Sequence, residues 1–123
     1  MEQYKDAAIR HYRDAVVLLD ADKLDNAGHL VGFSAECAIK HAIASLRLTA
    51  GSPKGHFPEF LGIARKHLDK RSSMYDLLQQ DLLSGWRVDR RYHATGETSS
   101  AELDTWFQNT KRLLGSAGIK ERK

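Results

Sequence analysis

The sequence predicts an all-α protein, a compact bundle of about five helices with a long second helix at its centre. Apolar residues recur at spacings of three and four through most of the 123-residue chain, as they do on the buried face of a helix. No strand-like alternation of Val, Ile and Thr extends beyond a few residues. Shares of 41% hydrophobic and 28% charged residues exclude a disordered chain. We expect one domain over residues 1–115 and a frayed basic tail over residues 116–123.

The first predicted helix covers residues 3–19, and a turn at Asp20-Ala21-Asp22 separates it from the second. One side of this helix is apolar and the other is charged, which is the pattern of a helix that covers a core. The turn also offers an aspartate as the N-cap of the next helix. The apolar stripe consists of Tyr4, Ala8, Tyr12, Ala15, Val16 and Leu19.

The second predicted helix, over residues 23–48, is the longest, and apolar residues cover more than half of its circumference. A helix that is apolar on so many sides lies between several neighbours. Gly28 and Gly32 lie one turn apart, and each lowers helix propensity by about 1 kcal/mol relative to alanine. We expect a closely packed backbone to offset this cost. The residues expected to be buried are Leu30, Ala38 and Ala42.

Three shorter helices are predicted in the second half of the chain, over residues 58–68, 73–83 and 99–114. Pro58 suits the first turn of a helix. The Ser-x-x-Asp and Ser-x-x-Glu patterns that begin at Ser73 and Ser99 resemble capping boxes. Gly85 and Gly115 are the candidate residues at which the last two helices stop.

The connection between the fourth and fifth predicted helices, residues 85–96, stands out in length and composition. It reads Gly-Trp-Arg-Val-Asp-Arg-Arg-Tyr-His-Ala-Thr-Gly and so contains three arginines, one histidine and two aromatic residues. Connections of this length are uncommon in small domains and are often functional. Because the arginine fork binds phosphate oxygens, the segment is a candidate phosphate or nucleic-acid site. The alternative is a structural loop that Trp86 and Tyr92 anchor to the bundle.

Charge, cysteine and histidine content narrow the class of function. Residues 62–123 carry 12 Lys and Arg against 8 Asp and Glu, whereas residues 1–61 carry 7 against 8. The basic half favours a polyanionic partner, and a solvated basic surface is the alternative. The single cysteine, Cys37, excludes an internal disulfide and is expected to be a buried thiol. The six histidines have no metal-ligand spacing, so neither a metal nor a cofactor is predicted.

The predicted location is the cytoplasm, without a membrane partner. No apolar run approaches the roughly 20 residues that a membrane span needs. The first six residues, Met-Glu-Gln-Tyr-Lys-Asp, lack the basic and apolar regions of a signal peptide.

Several local sequences together resemble the HEPN superfamily, the helical bundles named for higher eukaryotes and prokaryotes nucleotide-binding. Residues 32–40 read Gly-Phe-Ser-Ala-Glu-Cys-Ala-Ile-Lys, in which Glu36 and Lys40 lie one turn apart. The pair His56-Phe57 leads into the third predicted helix, and Trp-Arg-Val-Asp-Arg-Arg-Tyr over residues 86–92 comes before the last.

The likeness covers residues 3–114 and implies a helical bundle that is commonly a homodimer. Many members of the superfamily are metal-independent ribonucleases or toxins that use an Arg and a His four to six residues apart. Others are binding modules, often beside a nucleotidyltransferase. Arg87 and His93 have five residues between them and match the catalytic spacing. Val88, where catalytic members have a polar residue, favours the binding module, as does the position of His93 in a connection before the last helix. The tyrosine of many toxins is also absent, since that position is Thr95.

The candidate residues have different roles in these alternatives. In a binding module, Arg87, Arg90 and Arg91 contact phosphate. In a ribonuclease, Arg87 stabilises the charge that develops on the phosphate. His93 then removes the proton of the ribose 2′-hydroxyl, with two such pairs facing each other across a homodimer. A partner nucleotidyltransferase or antitoxin fits either function, and a non-catalytic assembly domain without a ligand is the third alternative.

Four further residues are predicted to support the basic segment. Glu36 and Lys40 are in the favourable order for an ion pair across one helical turn, and Glu36 is expected to be matched to Arg90 or Arg91 as well. The four supporting residues are Glu36, Lys40, Trp86 and Tyr92.

Overall fold

A computed structural model describes residues 3–45, 73–79, 83, 86, 96 and 98–119. These residues form four helices and contain no strand: α1 (Tyr4–Asp20), α2 (Leu24–Ser45), α3 (Ser73–Leu78) and α4 (Ser100–Ser116). The predicted all-α class is confirmed, and α3 and α4 correspond to the fourth and fifth predicted helices. The third predicted helix, over residues 58–68, lies outside the described residues. None of the described helices is long and apolar enough to cross a membrane.

A three-residue turn, residues 21–23, reverses the chain between α1 and α2. Asp22 has a φ of 64°, and its backbone N–H donates to the carbonyl of Leu19 over 3.0 Å. The N–H of Lys23 donates to the carbonyl of Leu18 over 2.8 Å, which completes the pair of bonds that closes many helix C-termini. The sequence predicts that an aspartate of this turn is the N-cap of the second helix. Instead, Asp22 is the left-handed residue that ends α1.

The two helices joined by this turn are antiparallel neighbours. The buried hydroxyl of Ser34 in α2 donates to the carbonyl of Ala8 in α1 over 2.7 Å. This bond satisfies a buried polar side chain, which would otherwise be costly to place in the core. Small residues at the contact, Ala8 and Ala15 in α1 and Ala27 in α2, are fully buried and let the helices approach closely.

Helix α2 is the central element of the described residues, as predicted, because it contacts α4 as well as α1. The hydroxyl of Thr110 in α4 donates to the carbonyl of Val31 over 3.3 Å inside the core. Further toward the start of both helices, Gly28 faces Leu103 and Trp106. Residues nearer the start of α2 therefore contact residues nearer the start of α4, so the two helices run in the same direction.

Three residues of α2 are less buried than predicted. Ala38 is fully buried as expected, but Leu30, Ala42 and Cys37 are half-buried. Leu30 and Cys37 lie two turns apart on the side of the helix away from α4, whereas Ala42 is close to the helix end. A helix that is apolar on many sides need not be covered equally on each of them.

Helix α4 begins at the predicted cap and ends later than predicted. Ser99 has extended backbone angles, and its hydroxyl accepts a hydrogen bond from the N–H of Glu102 over 3.1 Å. Gly115, the predicted stop, lies inside the helix, and Gly118 with a φ of 75° is the left-handed residue instead. The N–H of Ile119 donates to the carbonyl of Leu114 over 2.9 Å.

The chain beyond α4 also differs from the predicted frayed tail over residues 116–123. Ile119 is only 2% exposed and belongs to the same core as Leu114. An apolar contact between these two positions commonly accompanies this type of helix end. Ile119 is therefore packed on the core, so the predicted frayed tail does not begin at residue 116, and residues 120–123 lie outside the described residues.

Helix α3 runs against α4 in the opposite direction. The hydroxyl oxygens of Ser73 and Ser116 lie 2.6 Å apart, and the N–H of Leu83 donates to the side-chain oxygen of Asn109 over 2.9 Å. Ser73 is the first helical residue and not the N-cap that the sequence predicts. The predicted helix reaches residue 83, but Leu83 has a φ of 52°, which no right-handed helix contains. The predicted stop, Gly85, lies outside the described residues.

Candidate functional site

Trp86 fixes the beginning of the basic connection on α2. Its indole is 2% exposed, and the ring N–H donates to the carbonyl of Gly28 over 2.8 Å. The ring stacks on His29 with centroids 5.8 Å apart and meets the edge of Phe33 at 5.6 Å. Trp86 is therefore attached to the central helix, which is the contact that its predicted supporting role requires.

Gly32 makes room for this indole. A Cβ atom at position 32 would lie 2.0 Å from Cε2 of Trp86, far inside van der Waals contact. At Gly28 a Cβ would lie 2.7 Å from Cζ3 of Trp106. Both glycines therefore have a close neighbour, as predicted. This neighbour is the indole ring of a tryptophan, whereas the sequence predicts the backbone of another segment.

Asp25 fixes the other end of the same connection. Its two carboxylate oxygens accept hydrogen bonds from the backbone N–H groups of Gly96, over 2.8 Å, and Thr98, over 3.1 Å. Gly96 has a φ of 97°, a conformation that favours glycine, and Thr98 is buried. Sequence reasoning did not select Asp25, because an acidic residue in the first turn of a helix is ordinarily explained by the helix dipole.

Both ends of the basic segment are thus attached to the first three turns of α2. Trp86 comes immediately before Arg87, and Gly96 comes immediately after Thr95. The enclosed residues 87–95 include the predicted catalytic and phosphate-binding residues. The members of this set, Arg87, Arg90, Arg91, Tyr92 and His93, lie outside the described residues.

Glu36 and Lys40 continue the face of α2 on which Trp86 lies. Positions 28, 32, 36 and 40 follow one another at one-turn spacing, so the pair lies one and two turns beyond the indole contact. Nζ of Lys40 is 3.9 Å from Oε2 of Glu36, and the carboxylate side chain is 4% exposed. The predicted i,i+4 ion pair is present, whereas the further predicted partners of Glu36, Arg90 and Arg91, are outside the described residues. Burying a carboxylate is unfavourable unless cations neutralise it, and Lys40 supplies one positive charge.

Two histidines lie at or near the contact between α1 and α2. The ring of His11 is tilted against Phe33 with centroids 5.9 Å apart. Burial lowers the pKa of His11 below its usual 6.5, and the positive charge of Arg10 lowers it further. The negative charge of Asp14 raises this pKa by a smaller amount. Burial also lowers the pKa of His41, with a further contribution from the charge of Lys5. Both histidines therefore favour the neutral form in the folded protein.

The protein is expected to become less stable as the pH falls from about 7.5 to about 5. The unfolded chain takes up protons on His11 and His41 at a higher pH than the folded protein does, so acidification favours unfolding. Urea denaturation across this range would measure the change in the free energy of unfolding. A variant with His11→Gln and His41→Gln should show a smaller decrease than the wild type. Equal decreases of the free energy of unfolding in the two proteins would show that His11 and His41 do not cause the pH dependence.

These contacts define an all-α bundle whose basic connection is attached at both ends to the central helix. Within the described ranges, no group of three or more His, Cys, Asp and Glu side chains is placed to hold a metal ion. No family model matches the sequence, and neither the curated proteins nor the solved structures contain a match.

Proposed function

We propose that the protein is a HEPN-like module that binds the phosphates of a nucleotide or nucleic acid through the segment 87–95. Arg87, Arg90 and Arg91 supply the cationic groups. The observation that carries the proposal is the attachment of both ends of this segment, through Trp86 and Asp25, to one helix.

Attachment at both ends favours binding because it limits the conformations of the segment before a ligand arrives. A ligand that must order a flexible loop loses part of its binding free energy, whereas a loop held at its ends loses less. Three arginines in one short segment also repel one another unless anions neutralise them. A phosphate is suited to this role, since each guanidinium can donate two parallel hydrogen bonds to its oxygens.

Cleavage of RNA by Arg87 and His93 is the second candidate function, and it rests on their spacing in the sequence. This reaction would pair the sites of two chains across a homodimer. The homodimer, the cytoplasmic location and a partner nucleotidyltransferase or antitoxin follow from the sequence and its resemblance and stay predictions. A ligand-free assembly domain is the remaining alternative, in which the arginines are neutralised by acidic side chains of the protein itself.

Arg87→Ala is expected to weaken the binding of a labelled single-stranded RNA about tenfold at low salt, the loss of about one charge-assisted hydrogen bond. The slope of log affinity against log salt concentration should also become shallower by about 0.7, because one phosphate contact is lost. His93→Ala should leave the affinity almost unchanged. Fluorescence anisotropy over a salt series would measure both quantities.

Arg112→Ala is the matched control, since Arg112 is an exposed arginine in α4. It removes the same charge from a surface outside the segment and should change affinity much less than Arg87→Ala. RNA cleavage by the wild type that both Arg87→Ala and His93→Ala abolish would establish the ribonuclease instead. A wild-type protein that neither binds nor cuts RNA at low salt would rule out both nucleic-acid functions.

A further inference from the structure

We infer that the contact between α1 and α2 is acid-sensitive, so that α1 separates from α2 at mildly acidic pH before α2 and α4 separate from each other. The groups responsible are two imidazoles at this contact, His11 in α1 and His41 in α2. Such a local opening is independent of the proposed function, because it involves only the packing of the described helices.

The two imidazoles lie at different points along the contact between α1 and α2. His11 is half-buried, and its ring lies against the ring of Phe33 in α2 with centroids 5.9 Å apart. His41 is half-buried two turns further along α2, near enough to Lys5 in the first turn of α1 to be affected by its charge. Because the helices are antiparallel, His11 lies near the middle of the contact and His41 lies where α1 begins.

The charges around His11 oppose its protonation. Burial and the positive charge of Arg10 both lower the pKa of His11, and Asp14 raises it by a smaller amount. On the α2 side, Phe33 is also in edge contact with the ring of His29 at 4.8 Å, which brings no negative charge. A proton on His11 would therefore place a positive charge in a half-buried position beside a second one, which is unfavourable.

His41 is in a similar position at the other end of the contact. Burial lowers its pKa, and the charge of Lys5 in α1 lowers it further. On α2, the adjacent Lys40 is also a cation, and the Glu36 carboxylate lies 3.9 Å from its Nζ. Protonation of His41 would therefore add a positive charge to an end of the contact that already carries a lysine on each helix.

Helix α1 is less costly to separate from α2 than α4 is. The buried residues of α1 are Ala8, Tyr12 and Ala15. Those of α4 include Leu103, Trp106 and two further leucines. The hydrophobic free energy follows the buried apolar area, at about 25 cal/mol per Å², and two alanines with one tyrosine bury less of it. Opening of α1 alone would expose both imidazoles and leave the core between α2 and α4 closed.

The direction of the pH effect follows from the protons that each form binds. In the open form both imidazoles are in water, where a histidine has a pKa of about 6.5. Since the pKa values of His11 and His41 are lower in the closed form, the open form takes up protons first as the pH falls. Acidification from about pH 7.5 to about pH 5 therefore increases the population in which α1 is separated.

Hydrogen–deuterium exchange of the full chain, followed by mass spectrometry, distinguishes local opening from global unfolding. Protection is compared at about pH 7.5 and about pH 5 after correction for the intrinsic dependence of exchange on pH. We expect the protection of α1 to fall about tenfold more than that of α4. Parallel decreases in both helices would mean that acid destabilises only the whole fold, and unchanged protection in α1 would mean that the contact does not respond to acid. Either result would overturn the inference.

Charge variants test whether the two imidazoles are the cause. In a variant with His11→Gln and His41→Gln, which cannot take up these protons, the protection of α1 should fall no more than that of α4. Arg10→Gln removes the cation beside His11 and should make the fall in α1 about twofold smaller. Arg112→Gln is the matched control, since it removes an exposed arginine from α4, and it should leave the fall unchanged. A fall in the double variant as large as in the wild type would assign the response to other groups and overturn the inference.

Discussion

Replacement of Trp86 by alanine is expected to lower the free energy of unfolding by about 3–5 kcal/mol, the range for a large aromatic side chain removed from a core. The indole is 2% exposed and contacts Gly32, His29 and Phe33 on α2, so its removal leaves a cavity lined by a helix that cannot collapse into it. Because small domains are stable by only about 5–15 kcal/mol, the variant should be close to unfolding at room temperature. Urea denaturation in the cold would measure the loss.

Trp86→Phe separates packing from hydrogen bonding in this prediction. Phenylalanine keeps much of the ring contact but cannot donate to the carbonyl of Gly28. This carbonyl lies within α2 and can still accept a hydrogen bond from the helix backbone four residues later. The phenylalanine variant should therefore lose only about 1–2 kcal/mol. A loss below about 1 kcal/mol in Trp86→Ala would show that the indole does not hold the connection to the bundle.

The long helices could be predicted from the sequence because their apolar spacing is repeated over several turns. The predicted bounds of the first helix, residues 3–19, differ by one residue at each end from Tyr4–Asp20. The end of α4 was less predictable, since Gly115 and Gly118 both resemble helix stops. The burial of Ile119 selects the later one, and burial depends on the fold of the whole chain.

The neighbours of the glycines could be predicted only in part. Glycines one turn apart indicate that something lies close to α2, but the spacing is the same whether this is a backbone or an aromatic ring. The partner of Gly32 is Trp86, 54 positions later in the sequence, and no local pattern connects the two.

The site itself was predicted from composition, and its attachments were missed in part. A cluster of arginines next to Trp86 is visible in the sequence of residues 85–96. Asp25 could not be recognised, because its role is to accept hydrogen bonds from backbone groups of Gly96 and Thr98. Backbone N–H groups are the same in every residue type except proline, so the sequence contains no complementary partner to look for.

Replacement of Gly32 by alanine is expected to lower the free energy of unfolding by about 2–3 kcal/mol, a typical cost of overpacking a core. The new methyl group would lie 2.0 Å from Cε2 and 2.2 Å from Nε1 of Trp86. The ring is rigid and hydrogen-bonded to Gly28, so the indole or the helix must move. Gly115→Ala is the matched control, because that glycine is also helical and a Cβ there meets nothing within 4 Å. The control should be neutral or stabilising by up to about 1 kcal/mol.

The same substitution should reverse its sign once the indole is absent. In a Trp86→Ala background, the new methyl group at position 32 would enter the cavity that the ring leaves, and alanine favours the helix by about 1 kcal/mol relative to glycine. Gly32→Ala should therefore stabilise the Trp86→Ala protein, which gives a coupling energy of about 3 kcal/mol between the two positions. Urea denaturation of the wild type, both single variants and the double variant would measure this coupling. Equal destabilisation by Gly32→Ala in both backgrounds would mean that its cost comes from another neighbour, and the contact between Trp86 and α2 would have to be reassigned.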